Sequence, residues 1–209
     1  MDVDIANMLA QSLGAKLDIV TVTAANRIAE VETGKVDVLL TAAAITDERA
    51  QVVAFTRPYT AAGTALITLK SDNINSVADM KGKTVGYATG EFYGPIAAKY
   101  LPNSHTQQFQ TTTDELVALN NHQIAAFFSD SNEGAYTVSK DPALQLVNGN
   151  FGPLEYDGMV VQQGDQEWLN YLNTFIFNMQ ADGTFVAVFK KWYGSPPVYS
   201  PILTQLSSG

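Results

Sequence analysis

Residues 2–13, DVDIANMLAQSL, place Val3, Ile5, Ala6, Met8, Leu9 and Leu13 at helical spacing, and Gly14 stands where a helix C-cap belongs. The period then changes. Residues 16–22, KLDIVTV, alternate and predict a strand, and 26–34, NRIAEVETG, predict a short helix closed by Gly34. Residues 36–42, VDVLLTA, are a nearly continuous apolar run, the kind buried on both faces of a parallel sheet. Helix, strand, helix, strand is α/β alternation. After a strand at 63–70 a second unit repeats the logic. It reads as a capped turn in SVADMKGK, a strand at 84–89, a helix at 91–101, a weak strand in HTQQFQ, a helix in TDELVALNNHQ, a strand at 124–130, a helix in SNEGAYTVSK and a short strand in LQLVN. The strand MVVQQ then leads to two helices parted at Asp182 and Gly183. Trp168, Leu169, Leu172, Phe175, Ile176 and Met179 share one face of the first, which reads as core. The Pro-rich tail reads as an extended surface segment. Two lobes are expected, 1–64 with 155–209 and 65–154, with a ligand cleft at strand carboxyl ends, where open α/β sheets bind.

Composition narrows the function. Among 209 residues, 12 Lys+Arg against 21 Asp+Glu give a net charge of −9, which leaves no electrostatic footprint for a phosphate backbone and argues against nucleic acid. There are no cysteines, so disulfides and thiolate metal sites are excluded. His105 and His122 fall in different elements and read as surface residues; neither metal nor cofactor is expected. No apolar run reaches the ~18–20 residues of a membrane span, and residues 1–15 lack the pattern of a signal peptide.

Three positions follow strands and would point into such a cleft. Arg49, in the turn of TAAAITDERAQVVAFTRPY, offers a planar fork of donors that fits a carboxylate. The other reading is a surface ion pair with Asp47 or Glu48. Gly90 ends one strand and opens a helix, where N–H groups favour an anion and glycine admits close approach; an ordinary turn would look the same. Its surroundings contain neither a G-x-G-x-x-G fingerprint nor a P-loop. Asp130 ends another strand, where its carboxylate would accept from an ammonium or simply cap the next helix. One cation, one set of N–H groups and one carboxylate match a zwitterion such as an α-amino acid.

The blocks DVDIANMLAQSLGAKLDIV, ANRIAEVETGKVDVLLTAAAITDERAQVVAFTRPY, VADMKGKTVGYATG, AAFFSDSNEGAY and ADGTFVAVFKKWYG, in this order, resemble the family 3 solute-binding proteins, the polar amino-acid receptors of ABC importers. The resemblance implies a two-lobed, periplasmic-binding-protein-like type II α/β fold that closes on its ligand, and capture of an amino acid for delivery to a membrane permease. It implies a monomer at the periplasm or the extracellular face of the membrane. It assigns the ligand α-carboxylate to Arg49 and to backbone N–H groups at Gly90, Glu91 and Phe92, and the α-ammonium to Asp130. Arg27 looks like the arginine that acidic-amino-acid binders place near the side-chain carboxylate, or is a solvated helix arginine. Ala42 and Ala44 stand where the family often has Ser or Thr, and Phe92 replaces a small hydroxyl residue, so a less polar site is expected. The family also carries a strand ahead of DVDIA. The expectation is that the first lobe lacks it, or that the tail 196–206 fills part of the gap. An alternative on the same fold is an enzyme resembling cyclohexadienyl dehydratases, with Glu133 as acid in place of a first-turn glutamate favoured by the helix dipole.

Overall fold

The structure, a computed structural model, describes residues 1–149, 151–194 and 196–197. It divides into two compact units. Unit 1 comprises Met1–Val22, Arg27–Ala61 and the chain from Glu155 on; unit 2 comprises Thr23–Asn26 and Ala62–Leu154.

In unit 1 helix α1 (Asp2–Leu13) ends as its sequence predicts: Gly14 takes the left-handed conformation, φ 62°, and its N–H is donated to the carbonyls of Ala10 and Gln11. Helix α2 (Arg27–Glu32) leads to β1 (Leu39–Ala44). The short strands β2 (Ala54–Phe55) and β3 (Thr60–Ala62) follow. Strand β9 (Glu155–Val161) pairs with β1, β2 and β3. Helices α6 (Gln166–Ala181) and α7 (Thr184–Tyr193) close the unit, parted at Gly183 with φ 82°. Their apolar faces meet α1 around Ile5, Leu9, Leu172, Ile176, Phe185 and Phe189, all at most 3% exposed. Full burial of one such side chain contributes ~1.5–3 kcal/mol.

Two expectations for this unit are corrected. Residues 16–22 form no strand: Ile19 is 58% and Val20 50% exposed, and an alternating pattern becomes a strand only where a ladder partner completes it. The apolar run at 36–42 becomes a strand only from Leu39, and its partner β9 is antiparallel. Both stretches line an open groove of about 900 Å³, with Leu9 and Leu13 of α1 and Trp168 and Tyr171 of α6. Whether the tail 196–206 fills that place falls, from residue 198 on, outside the described residues.

Unit 2 is a five-stranded sheet ordered β6-β5-β7-β4-β8. Its strands are β4 (Thr64–Leu69), β5 (Thr84–Ala88), β6 (His105–Phe109), β7 (Ala126–Asp130) and β8 (Leu144–Leu146). Strand β5 runs parallel to β6 and β7, while β4 is antiparallel to β7 and β8. The crossovers are α3 (Tyr93–Tyr100) and α4 (Thr112–Asn120), and α5 (Ser131–Lys140) follows β7. Helix α4 opens with a capping box, Thr111 bonding the Asp114 N–H while the Asp114 carboxylate accepts from Thr111. The core holds Leu66, Val85, Ala126 and Phe128 on one side and Ile67, Leu119, Phe127 and Leu144 on the other. That two-sided burial explains the continuous apolar run AAFFS. With β5, β6 and β7 parallel, their carboxyl ends and the three following helix starts lie along one edge of the sheet.

Candidate functional site

In unit 1 the candidates converge on the carboxyl half of β1. The register against β9 slips between Leu39 and Ala43, three intervening residues opposing one, and Ala42 sits in the extra length with φ 44°. A non-glycine residue there is strained by ~1–2 kcal/mol. The bulge is held by a buried relay: the Ala42 N–H is donated to the Tyr59 hydroxyl oxygen at 3.1 Å, and that hydroxyl donates to Asp2 Oδ1 at 3.2 Å. Tyr59 is 0% exposed, and burial, then the nearby charges of Asp2 and Asp157, raise its pKa well above the ordinary value.

The two predicted arginines bind carbonyls on either side of this bulge. Arg27 Nη1 donates to Thr41 O at 3.4 Å, and Arg27 is 6% exposed, so it is no solvated helix arginine. Arg49 Nη1 donates to Ala44 O at 2.9 Å, while its own N–H is donated to Thr46 Oγ1 at 3.2 Å. The structure therefore brings Arg27, Ala42, Ala44 and Arg49 to one strand end. Two fixed guanidinium groups beside a displaced backbone suit an anion with in-plane oxygens.

In unit 2 the candidates lie where β5 and β7 end. Gly90 has φ 88°, and a Cβ on it would stand 2.4 Å from the carbonyl oxygen of Ala24, so glycine is required by the chain's own Thr23–Asn26 segment. The Glu91 N–H is donated to Ala88 O at 3.1 Å and closes the turn. Phe92 caps α3 without a side-chain hydrogen bond and packs on Tyr93, ring centroids 4.7 Å apart. Tyr93 stacks on Phe128 and is core.

Asp130 caps α5, its Oδ1 accepting from the N–H groups of Asn132 (2.8 Å) and Glu133 (2.9 Å). Capping engages one carboxylate oxygen and holds the side chain rigid. Burial raises its pKa, against the lowering effect of those two bonds. Glu133 Oε2 accepts from Ser129 Oγ at 3.3 Å; burial, then the Asp130 charge, raise its pKa to about 7.

One acidic residue escapes sequence reading. Glu115, in the first turn of α4, is 1% exposed, and its Oε1 has no hydrogen-bond partner. Burial, then the charge of Glu133, raise its pKa to about 8. Among the described residues no cluster of His, Cys, Asp and Glu is placed to hold a metal ion, and no helix is long and apolar enough to cross a membrane.

Residues 1–195 match the family described as bacterial extracellular solute-binding proteins, family 3. The chain is similar to the L-cystine-binding protein TcyJ of Escherichia coli (strain K12), 26% identical over 196 residues that make up 93% of this chain and 74% of that protein. It is also similar to a solved solute receptor for L-cysteine of Neisseria gonorrhoeae: 31% identity, TM-score 0.85, 91% of this chain and 79% of that one. A third likeness is the ancestral amino acid-binding protein AncCDT-1, described as a precursor of cyclohexadienyl dehydratase: 29% identity, TM-score 0.82, 92% of this chain and 84% of that one.

Proposed function

Because this chain belongs to the bacterial extracellular solute-binding proteins, family 3, with their periplasmic-binding-protein-like type II α/β fold, we propose that it captures an amino acid. It delivers that ligand, as a monomer, to the membrane permease of an ABC importer, in the periplasm or on the outer face of the cell membrane. The ligand α-carboxylate goes to the Arg49 guanidinium, with backbone groups of Ala42 and Ala44 beside it. The turn at Gly90, Glu91 and Phe92 adds its backbone dipoles, and Asp130 takes the α-ammonium on the oxygen its helix cap leaves over. Arg27, buried on Thr41 O, fixes the positive end of the unit 1 site.

The observation that carries this reading is the pinning of Arg49 to Ala44 O at 2.9 Å beside the strained Ala42. A guanidinium held by a strand carbonyl meets an anion without the entropy cost of freezing a loose side chain. Binding needs no covalent step; its free energy selects the ligand-bound conformation that a permease reads.

A second reading, a dehydratase, is favoured by one observation: Glu133 stands in the first turn of α5, three residues after Asp130, with its pKa raised to about 7, which suits a general acid. A thermal-shift panel of the common amino acids with prephenate and arogenate separates the two. The receptor reading predicts a rise in Tm with at least one amino acid and no product from either cyclic acid. Turnover that disappears in Glu133→Gln would establish the enzyme instead.

A further inference from the structure

The open groove of unit 1 is lined by an unfinished sheet edge. Strand β1 stands at the end of its sheet, with β9 on one side and, among the described residues, no strand on the other. Its residues Leu39, Leu40 and Thr41 line the groove. Such an edge presents backbone N–H and C=O groups that a further strand can pair. The Thr41 hydroxyl is buried and, among the described residues, has no hydrogen-bond partner. Much of the remaining lining is apolar, with Leu9 and Leu13 from α1 and the stacked rings of Trp168 and Tyr171, 5.9 Å apart, from α6. The groove follows α1 from Asp2 to Leu13. Those 12 residues measure roughly 18 Å as a helix, and a strand of five or six residues measures roughly 17–20 Å.

The chain itself carries a segment of that length close to one end of the groove. Helix α7 finishes against the first turn of α1: Lys191 Nζ donates to Asp4 Oδ2 at 2.6 Å and Trp192 Nε1 donates to the same oxygen at 2.9 Å. Asp2 and Val3, on that turn, line the groove. The last described residue, Pro197, is buried. Beyond it the sequence continues VYSPILTQLSSG, without a charge. The part suited to a ladder is ILTQL, residues 202–206, which follows Pro201 and contains no proline. In a strand Ile202, Thr204 and Leu206 share one face and Leu203 and Gln205 the other. Ile202 stands eight positions after Gly194, and extended chain of that length reaches up to ~26 Å. The Tyr59 hydroxyl, bonded to both Asp2 and the Ala42 N–H, puts the carboxyl half of β1 at the same end of the groove as the start of α1. A segment entering there runs antiparallel to β1. A short tether gives it an effective concentration in the millimolar range, which favours it over the same segment of another molecule.

We propose that residues 202–206 add to the open edge of β1 as an antiparallel strand and close the unit 1 groove with this chain's own tail. The ladder satisfies the edge groups of β1, and the apolar side chains of the segment cover Leu9, Leu13 and Tyr171. An edge covered in this way is no longer a template for pairing with other chains. The seat concerns unit 1 alone and does not rest on the amino-acid reading above.

Hydrogen exchange on the full chain, followed residue by residue by NMR, reads the tail directly. Every second amide within 202–206 should exchange at least a hundredfold more slowly than in a synthetic peptide of residues 198–209. Exchange at the peptide rate would overturn the proposal. Neighbouring N–H groups of a strand point to opposite edges, so one of Leu203→Pro and Thr204→Pro deletes a ladder donor. That variant should lose the protection of the tail and speed exchange at Leu39–Thr41. Loss of tail protection with Leu39–Thr41 unchanged would seat the tail elsewhere and overturn the proposal. The labelled peptide 198–209 should bind the same variant at least tenfold more tightly than it binds the wild type, whose groove is occupied; equal binding would contradict that. Should both variants fail to fold, tail protection in the wild type still decides. Tail protection that vanishes as a dimer is diluted to monomer would assign the groove to the tail of a second copy and overturn the seat within one chain.

Discussion

At the scale of single residues, conformations that no pattern announces do much to shape the candidate site. Ala42 lies in the left-handed region although alanine advertises nothing of the kind, and its N–H is tied to the hydroxyl of the buried Tyr59. Tyr59→Phe removes that acceptor and leaves the Ala42 N–H unmatched, so a loss of ~1–3 kcal/mol is expected in urea unfolding. A loss under 0.5 kcal/mol would show that the bulge needs no hydroxyl. Gly90 was legible as a glycine that matters; that its neighbour is the Ala24 backbone was not, because the two are far apart in sequence. Gly90→Ala combines positive-φ strain with a 2.4 Å clash and should cost ~2 kcal/mol or more. Arg49 and Asp130 were legible as strand-end residues. Glu115 was not, because a glutamate in a helix first turn is ordinary and only tertiary burial makes it unusual.

At the scale of elements, helices were read closely and one strand was misread. The helix α1 stop at Gly14 and the α6–α7 break at Gly183 are set by local chemistry, which a sequence displays. A strand is set by its partner. Residues 16–22 carry the alternation of a strand, yet the described chain offers them no ladder, and they border the groove instead. Hydrogen exchange should therefore show the amides of 16–22 exchanging orders of magnitude faster than those of β9, which is paired with three strands. Equal protection would mean that 16–22 is paired in solution.

At the scale of the whole molecule, the acidic edge of unit 2 makes stability depend on pH in a definite direction. Glu115 and Glu133 have folded pKa values of about 8 and about 7, raised from 4.5, and Asp130 shifts the same way. Groups raised on folding contribute stability that is fully present below their unfolded pKa and is lost as pH climbs through the folded one. The Tm of the ligand-free protein should thus fall between about pH 5 and pH 8.5. Asp4 and Asp79, whose pKa values are lowered by their hydrogen bonds, act in the opposite sense only below about pH 4 and leave this window untouched. In Glu115→Gln the fall should shrink; an unchanged slope would mean that Glu115 ionises freely.

The central claim is that one amino acid is held through its carboxylate by Arg49. Titration calorimetry of Arg49→Ala with the ligand that most raises the wild-type Tm tests it directly. The account predicts at least a hundredfold loss of affinity, because a bidentate charged contact is removed while the fold, checked by circular dichroism, is kept. Affinity within threefold of the wild type in a folded Arg49→Ala protein would contradict it.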